Sequence, residues 1–401
     1  MRSSATSTEA CRDRLLVSGA VPRSLLFLIA DTGGGHRAAA TAVSHYLGRA
    51  HPGEFTVEIV DPFATASPRI LSRTASLYGP LIQHAPWVWG GLFHATNSRA
   101  MVRASELVLR GVDPAIARFM TALEPAAVVS FHPLLNRAAV RARRSLGLRV
   151  PLVTAVTDLV DVHAFWASPD VDLVIVASPG GLDRCRRNRI AAERLVQVGL
   201  PVDSGFTDYS SDPEARRAQR LRLGLDPDRF TVLVCSGADG SGDIERRARV
   251  LAKSGLDISL VVICGHNQRA QNGLTGLRDQ RDRPVAVHGF VTNMAEWMTA
   301  ADIVVTKAGP GTIAESLCAG LPLLITWYLP GQERGTMEWL IDTGAGRYVP
   351  GDAELVDEVA ELAAPGSPSL LSMRAAVAQL ARPEATAEIA ELIRSVAMRL
   401  S

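Results

Sequence analysis

The feature that most constrains this chain is an apolar run that ends abruptly in glycine. Ser24 to Ala30 reads SLLFLIA and passes straight into Asp31-Thr32-Gly33-Gly34-Gly35-His36, after which an alanine-rich stretch runs from Arg37 to Arg49. A short run without polar alternation is a strand buried on both faces. The stretch after the loop has good helix propensity. Strand, tight loop and helix form the opening unit of a parallel α/β sheet, and here the unit starts twice. Its second start is Thr231 to Gly237, which enters the glycine-rich loop Cys235 to Gly242.

Further apolar runs fill in each half. The first has expected strands at Thr56–Phe63, Ala126–His132, Val150–Asp158, Val171–Ser178 and Arg194–Pro201. The second has them at Ile258–Gly265, Pro284–Phe290, Asp302–Gly309 and Leu321–Trp327. Between the halves, Val202 to Pro213 turns to Asp, Ser, Gly and Pro, a linker composition. The reading is therefore α/β, with two Rossmann-like parallel-sheet domains facing a cleft. Residues 1–20 are expected to be a poorly ordered tail, 21–203 the first domain, 204–213 the linker and 214–384 the second domain. Residues 385–401 are expected to form a helix that packs back on the first domain. A length of 401 residues agrees, being more than one ordinary core accommodates.

Composition narrows the function classes. A net charge of +1 argues against a nucleic-acid binder. The charge is uneven, however: the first 200 residues hold 22 Arg against 15 acids, and the remainder 20 Lys and Arg against 26. Five scattered cysteines without a CxxC pair exclude a zinc ribbon and suit a reducing cytoplasm. No apolar run reaches the roughly 20 residues of a spanning helix. The expectation is a cytoplasmic protein that can still lie on a membrane.

Three loops can carry chemistry. In the first, Gly34 and Gly35 let backbone amides approach a ligand, and His36 sits at a helix N-terminus that disfavours a second positive charge. A neutral imidazole there suits a general base, or it simply caps the helix. The second loop, with Gly237, lacks the lysine of a P-loop, so phosphate contacts must come from amides, hydroxyls, His or Arg. The third, Thr306 to Glu315, ends a strand in Gly309-Pro310-Gly311-Thr312 and opens a helix, which makes an anion site. Glu315, one turn in, is either a ligand for a ribose diol or a solvated helix residue. Gln332 and Glu333 either bind sugar hydroxyls or form an ordinary polar loop. On the first half, His132, Asp158 and His163 are candidates for a ligand site at that side of the cleft, or cap loops.

These motifs, in this order, resemble the monogalactosyldiacylglycerol synthase group of glycosyltransferases. The resemblance extends more distantly to the peptidoglycan enzyme that adds N-acetylglucosamine to a lipid carrier. It spans residues 24 to 390 and rests on Asp31–Ala40, Ser130–Leu134, Thr157–Leu159 with His163, Gly199–Pro201, Cys264–Asn267, Gly289–Met294 and Thr306–Gly335. It implies a GT-B fold and an inverting, metal-independent transfer of galactose or glucose from a UDP-sugar to a lipid hydroxyl such as that of diacylglycerol. The backbone around Phe290 and Val291 would hold uracil, Glu315 the ribose, Gly309 to Thr312 the diphosphate, and Gln332 and Glu333 the sugar. The first half would supply the acceptor site and His36 as base. No cofactor and no nucleic acid are implied. Ala238, Asp239 and Ser241 depart from a glycine-richer family loop, and His266 replaces a more usual basic residue.

Leu77 to His94 concentrates Tyr78, Trp87, Trp89 and Phe93 in a stretch broken by Pro and Gly. Beside a basic half it suits docking on the inner face of an anionic cell membrane, or else it is a buried helix pair. Two rivals remain at this level: transfer to a soluble natural-product aglycone, and a catalytically silent sugar-nucleotide binder.

Overall fold

The computed structural model describes residues 21–31, 34–65, 85–207 and 213–399. The expected tail, Thr32, Gly33 and the aromatic stretch from Leu77 to His84 lie outside the described residues.

Two six-stranded sheets carry the chain. The first comprises β1 (Arg23–Leu28), β2 (Phe55–Val60), β3 (Ala127–Ser130), β4 (Leu152–Ala155), β5 (Leu173–Val176) and β6 (Leu195–Gln197). The second comprises β7 (Phe230–Cys235), β8 (Ile258–Ile263), β9 (Ala286–His288), β10 (Ile303–Lys307), β11 (Leu323–Trp327) and β12 (Gly346–Tyr348). Every pairing is parallel, in the orders β2-β1-β3-β4-β5-β6 and β12-β11-β10-β7-β8-β9. Strand order therefore reverses between β1 and β3 in one sheet and between β7 and β10 in the other. Ligands of doubly wound sheets bind at such reversals, beyond the carboxyl ends of the strands. Register brings those ends together, with Leu28 opposite Ser130 and Val234 opposite Val305.

Each sheet is covered on both faces, which is why its central strands carry no polar alternation. Leu26, Leu28, Val128 and Val174 point to one core of the first half, and Leu25, Phe27, Val129 and Ile175 to the other. The last helix, Ala385–Met398, lays Ile389, Ala390, Ile393 and Ala397 into that second core, beside the Gly35–Ala50 helix. Thr386 fastens it at the crossing, exchanging hydrogen bonds with the Val202 amide and carbonyl at 2.9 and 2.7 Å.

Strands are shorter than the apolar runs that predict them. The run Thr56–Phe63 gives β2 to Val60 and then a one-turn helix at Pro62–Thr65, because Pro62 cannot continue the ladder. The run Val150–Asp158 stops at Ala155, which frees Thr157 and Asp158 for the rim. Strand β12 has no counterpart among the expected strands, being three residues long at a sheet edge. Ser204–Thr207, inside the expected linker, is one turn of helix.

Candidate active site

At the rim of the first sheet, the chain leaves β1 through Gly34, whose φ of +75° favours glycine, into the Gly35–Ala50 helix. His36 lies in the first turn, half-buried, with Nδ1 2.8 Å from Thr157 Oγ1. Its ring also hydrogen-bonds the Phe131 backbone. Burial pushes His36 from 6.5 down to about 4, against the Phe131 bond, so the imidazole is neutral at pH 7. The His132 ring stands edge-on to it, with 4.7 Å between centroids. His132 is buried and its Nδ1 has no hydrogen-bond partner. Burial first, and the facing His36 second, hold it well below the usual histidine range.

Asp158, buried beside Thr157, accepts a 2.6 Å hydrogen bond at Oδ2 from Trp166 Nε1 and makes a second with the Gln332 side chain. Burial raises its carboxyl to about 7 despite both bonds, with the charges of Asp161 and Glu333 adding to the rise. His163 has both ring nitrogens engaged within the chain. Phe165 N donates to Nδ1 at 3.2 Å, and Nε2 lies 3.2 Å from the Phe93 carbonyl and 3.3 Å from Thr96 Oγ1. It ties the Pro86–Thr96 helix to the loop after β4, and burial lowers it to about 4.

On the second sheet, the loops after β7 and β8 pack backbone to backbone. A Cβ on Gly240 would overlap the Cys264 carbonyl, and one on Gly265 the Ala238 carbonyl. Gly237, at φ +69°, lies close enough that a Cβ there would be 3.8 Å from Thr312 Oγ1. After β10, Gly309 caps the helix Pro310–Cys318. Among the described residues, apart from its chain neighbours and its own helix backbone, nothing lies within 4 Å of where a Cβ on Gly311 would stand. One turn later Glu315 is half-buried, with no hydrogen bond or ion pair among the described residues. Burial alone raises it to about 7. Phe290, 54% exposed, stacks on His266 with 4.3 Å between centroids and 7° between planes. Val291 packs against the core beneath.

Glu333 is buried, paired with Lys307 and accepting from Leu329 N at 2.9 Å. Both its carboxylate oxygens are thus occupied within the chain, and Gln332 is the neighbour that reaches across. The rims meet at further points. A Cβ on Gly34 would lie 3.0 Å from Ala238 Cβ, and Gly335 N donates to Asp161 Oδ2 at 2.5 Å. The Pro86–Thr96 helix closes the same seam, where Gly90 leaves room for Pro330 and Phe93 abuts Gly331.

His36, His132 and Asp158 thus share one rim, Gly34 and Gly35 beside them. Gly237, Gly309, Gly311, Thr312 and Glu315 share the other, and Gln332 lies at the crossing. Sequence reasoning quoted Thr157 and Lys307 within motifs without assigning them a role, and passed over Trp166 and Asp161. Thr157 follows directly on an expected strand and Lys307 is one of only two lysines, which were usable signals. Trp166, fully buried, gave none. Among the described residues, no group of three or more His, Cys, Asp or Glu is placed to hold a metal ion.

Comparison with known proteins bears on the fold and the family. The monogalactosyldiacylglycerol (MGDG) synthase family model matches residues 36–202, and the glycosyltransferase family 28 C-terminal domain matches residues 231–338. Monogalactosyldiacylglycerol synthase 1 of Arabidopsis thaliana, chloroplastic, is 32% identical over 389 residues, covering 93% of this chain and 72% of that protein. Among solved structures, Acinetobacter baumannii MurG superposes with a TM-score of 0.57 at 18% identity, covering 93% of this chain and 100% of that one. Anabaena Alr3699/HepE, in complex with UDP and glucose, superposes with a TM-score of 0.55 at 16% identity, covering 93% and 100%. These likenesses establish the GT-B fold, and the chain belongs to the monogalactosyldiacylglycerol synthase family of glycosyltransferases.

Proposed function

We propose that this glycosyltransferase moves galactose or glucose from its UDP-sugar to the free hydroxyl of diacylglycerol, inverting the anomeric centre. The observation that carries the reading is Glu315, a half-buried carboxylate with no side-chain partner among the described residues, beside a helix N-terminus. A ribose diol offers the two O–H donors that such a carboxylate lacks. The diphosphate then lies against the first-turn amides of Pro310–Cys318, where the helix dipole favours negative charge. The Phe290–His266 stack offers a flat apolar edge for uracil. Gln332 at the crossing faces the sugar.

On the acceptor side, neutral His36 is the group to take the hydroxyl proton as the oxygen attacks from the face opposite UDP. The helix amides meet the charge developing on the leaving diphosphate, so electrostatic preorganisation assists its departure. The name of the Arabidopsis relative, a monogalactosyldiacylglycerol synthase, supports a lipid acceptor. So does the Pro86–Thr96 helix, which buries Phe93 against the second half yet leaves Trp87 75% exposed and Val88 and Leu92 exposed as well. No helix among the described residues is long and apolar enough to cross a membrane. This helix instead offers an aromatic and aliphatic edge for lying on one, on the inner face of the cell membrane.

The test is to supply UDP-galactose, UDP-glucose and UDP-N-acetylglucosamine in turn, with and without diacylglycerol in anionic vesicles, and to identify products by mass. Lipid-dependent UDP release with a glycosyl-diacylglycerol product is the expected result. Turnover on soluble aglycones alone, or UDP binding without any transfer, contradicts it.

A further inference from the structure

Asp158 is built with more care than a loop cap requires. Its Oδ2 is held at 2.6 Å by Nε1 of Trp166, a fully buried ring. The Trp166 carbonyl accepts from Asn136 Nδ2 at 3.2 Å, and Asn136 Oδ1 accepts from Thr154 Oγ1 at 3.0 Å. The carboxyl is thereby fixed from behind by a buried chain of hydrogen bonds within the first half. Its remaining bond crosses the cleft to Gln332, the residue facing the sugar. Its chain neighbour Thr157 holds His36 at 2.8 Å. Two adjacent residues of one loop thus hold the proposed base and the proposed sugar-reading amide.

A glutamine amide has two distinct ends, and which end faces a ligand depends on what fixes the other. An ionised carboxylate accepts from the N–H end only, leaving the Gln332 carbonyl to accept from sugar hydroxyls. A protonated Asp158 donates instead and turns the amide around. We propose that Asp158 is a positioning residue that sets the orientation of the Gln332 amide toward the donor sugar. The inference rests on the UDP-hexose reading above and deepens it. The carboxyl's rise to about 7, from burial with Asp161 and Glu333 facing it, places the change of orientation near neutral pH. Glu333 is itself engaged by Lys307, and Asp161 by the Gly335 amide with Arg184 3.7 Å away.

The experiment is a double-mutant cycle on kcat/KM for the UDP-hexose that supports turnover, with UDP affinity measured separately by calorimetry. Asp158→Asn keeps an acceptor for Trp166 but presents an N–H donor to Gln332, which turns the amide around. It is expected to lower kcat/KM for the donor by roughly tenfold while the Kd for UDP alone stays within about twofold. Gln332→Ala is expected to do the same, and the double variant to be no worse than Gln332→Ala. Wild-type kcat/KM is expected to fall as pH drops through about 7 more steeply than UDP affinity does, and Asp158→Asn to lose that excess. Additive losses, or an Asp158→Asn enzyme with an unchanged donor kcat/KM, overturn the proposal. So does a loss of UDP affinity equal to the loss of kcat/KM, because that is the mark of a purely structural residue. A wild-type enzyme that binds UDP but turns over no UDP-hexose refutes the UDP-hexose reading itself, and the positioning role with it.

Discussion

A carboxylate without a partner is costly to bury, and its cost sets its behaviour. Glu315 has a folded-state value of about 7, above its ordinary 4.5, with burial as the cause. A raised acid contributes stability that is present below its unfolded value and lost as pH rises through the folded one. Glu315→Gln should therefore raise Tm at pH 8 and leave it unchanged near pH 4, as measured by calorimetric melting. UDP reverses the balance, since ribose hydroxyls donate to the ionised form. The Kd for UDP should weaken by up to about tenfold per pH unit below 7, and Glu315→Gln should flatten that dependence while weakening binding at pH 8 by about 1–3 kcal/mol. A pH-independent wild-type Kd would remove Glu315 from the ribose. Glu315 and His36 were legible in the sequence because each lies at a fixed offset from a strand and a glycine turn. The engagement of Glu333 by Lys307, and of His163 by Phe93 and Phe165, was not. Partners that come from other loops leave no local pattern.

At the scale of elements, the donor rim depends on loops that only glycine can build. Gly240 sits at φ +57° with the Cys264 carbonyl where a Cβ would stand, so Gly240→Ala meets both backbone strain and a backbone clash. It should cost at least about 1–2 kcal/mol and lower Tm by several degrees. UDP affinity should fall with it, because the loop after β7 borders Thr312; an unchanged Tm would show that the loops have slack. The glycine-rich segments, the alternation of strand and helix and the second start were all readable from runs and punctuation. The strand ends were not. Apolar residues continue past the strand end at Val156, which is still buried and still donates to the Ile175 carbonyl at 2.9 Å. Strand β12 escaped because three residues at an edge carry too little pattern to distinguish from a loop.

Across the whole molecule, the proposed lipid side is the first half, which carries the excess of Arg over acids and the exposed edge of the Pro86–Thr96 helix. The Pro86–Thr96 helix shows Trp87 and Leu92 to solvent, and the neighbouring helix Arg99–Leu109 exposes Met101 and Arg103. Trp87→Ala with Leu92→Ala should weaken sedimentation with anionic vesicles by about tenfold or more, at about 1 kcal/mol or more per side chain, without altering the Kd for UDP. Vesicle binding that ignores the pair would place the docking surface elsewhere. The proposed mechanism also divides the reaction between the halves, with the base on one rim and the nucleotide on the other. The most direct test is to measure UDP affinity and turnover together in His36→Ala. Turnover should fall by about 10²- to 10⁴-fold while the Kd for UDP stays within about twofold. Parallel loss of both would show that base and nucleotide do not sit on separate rims.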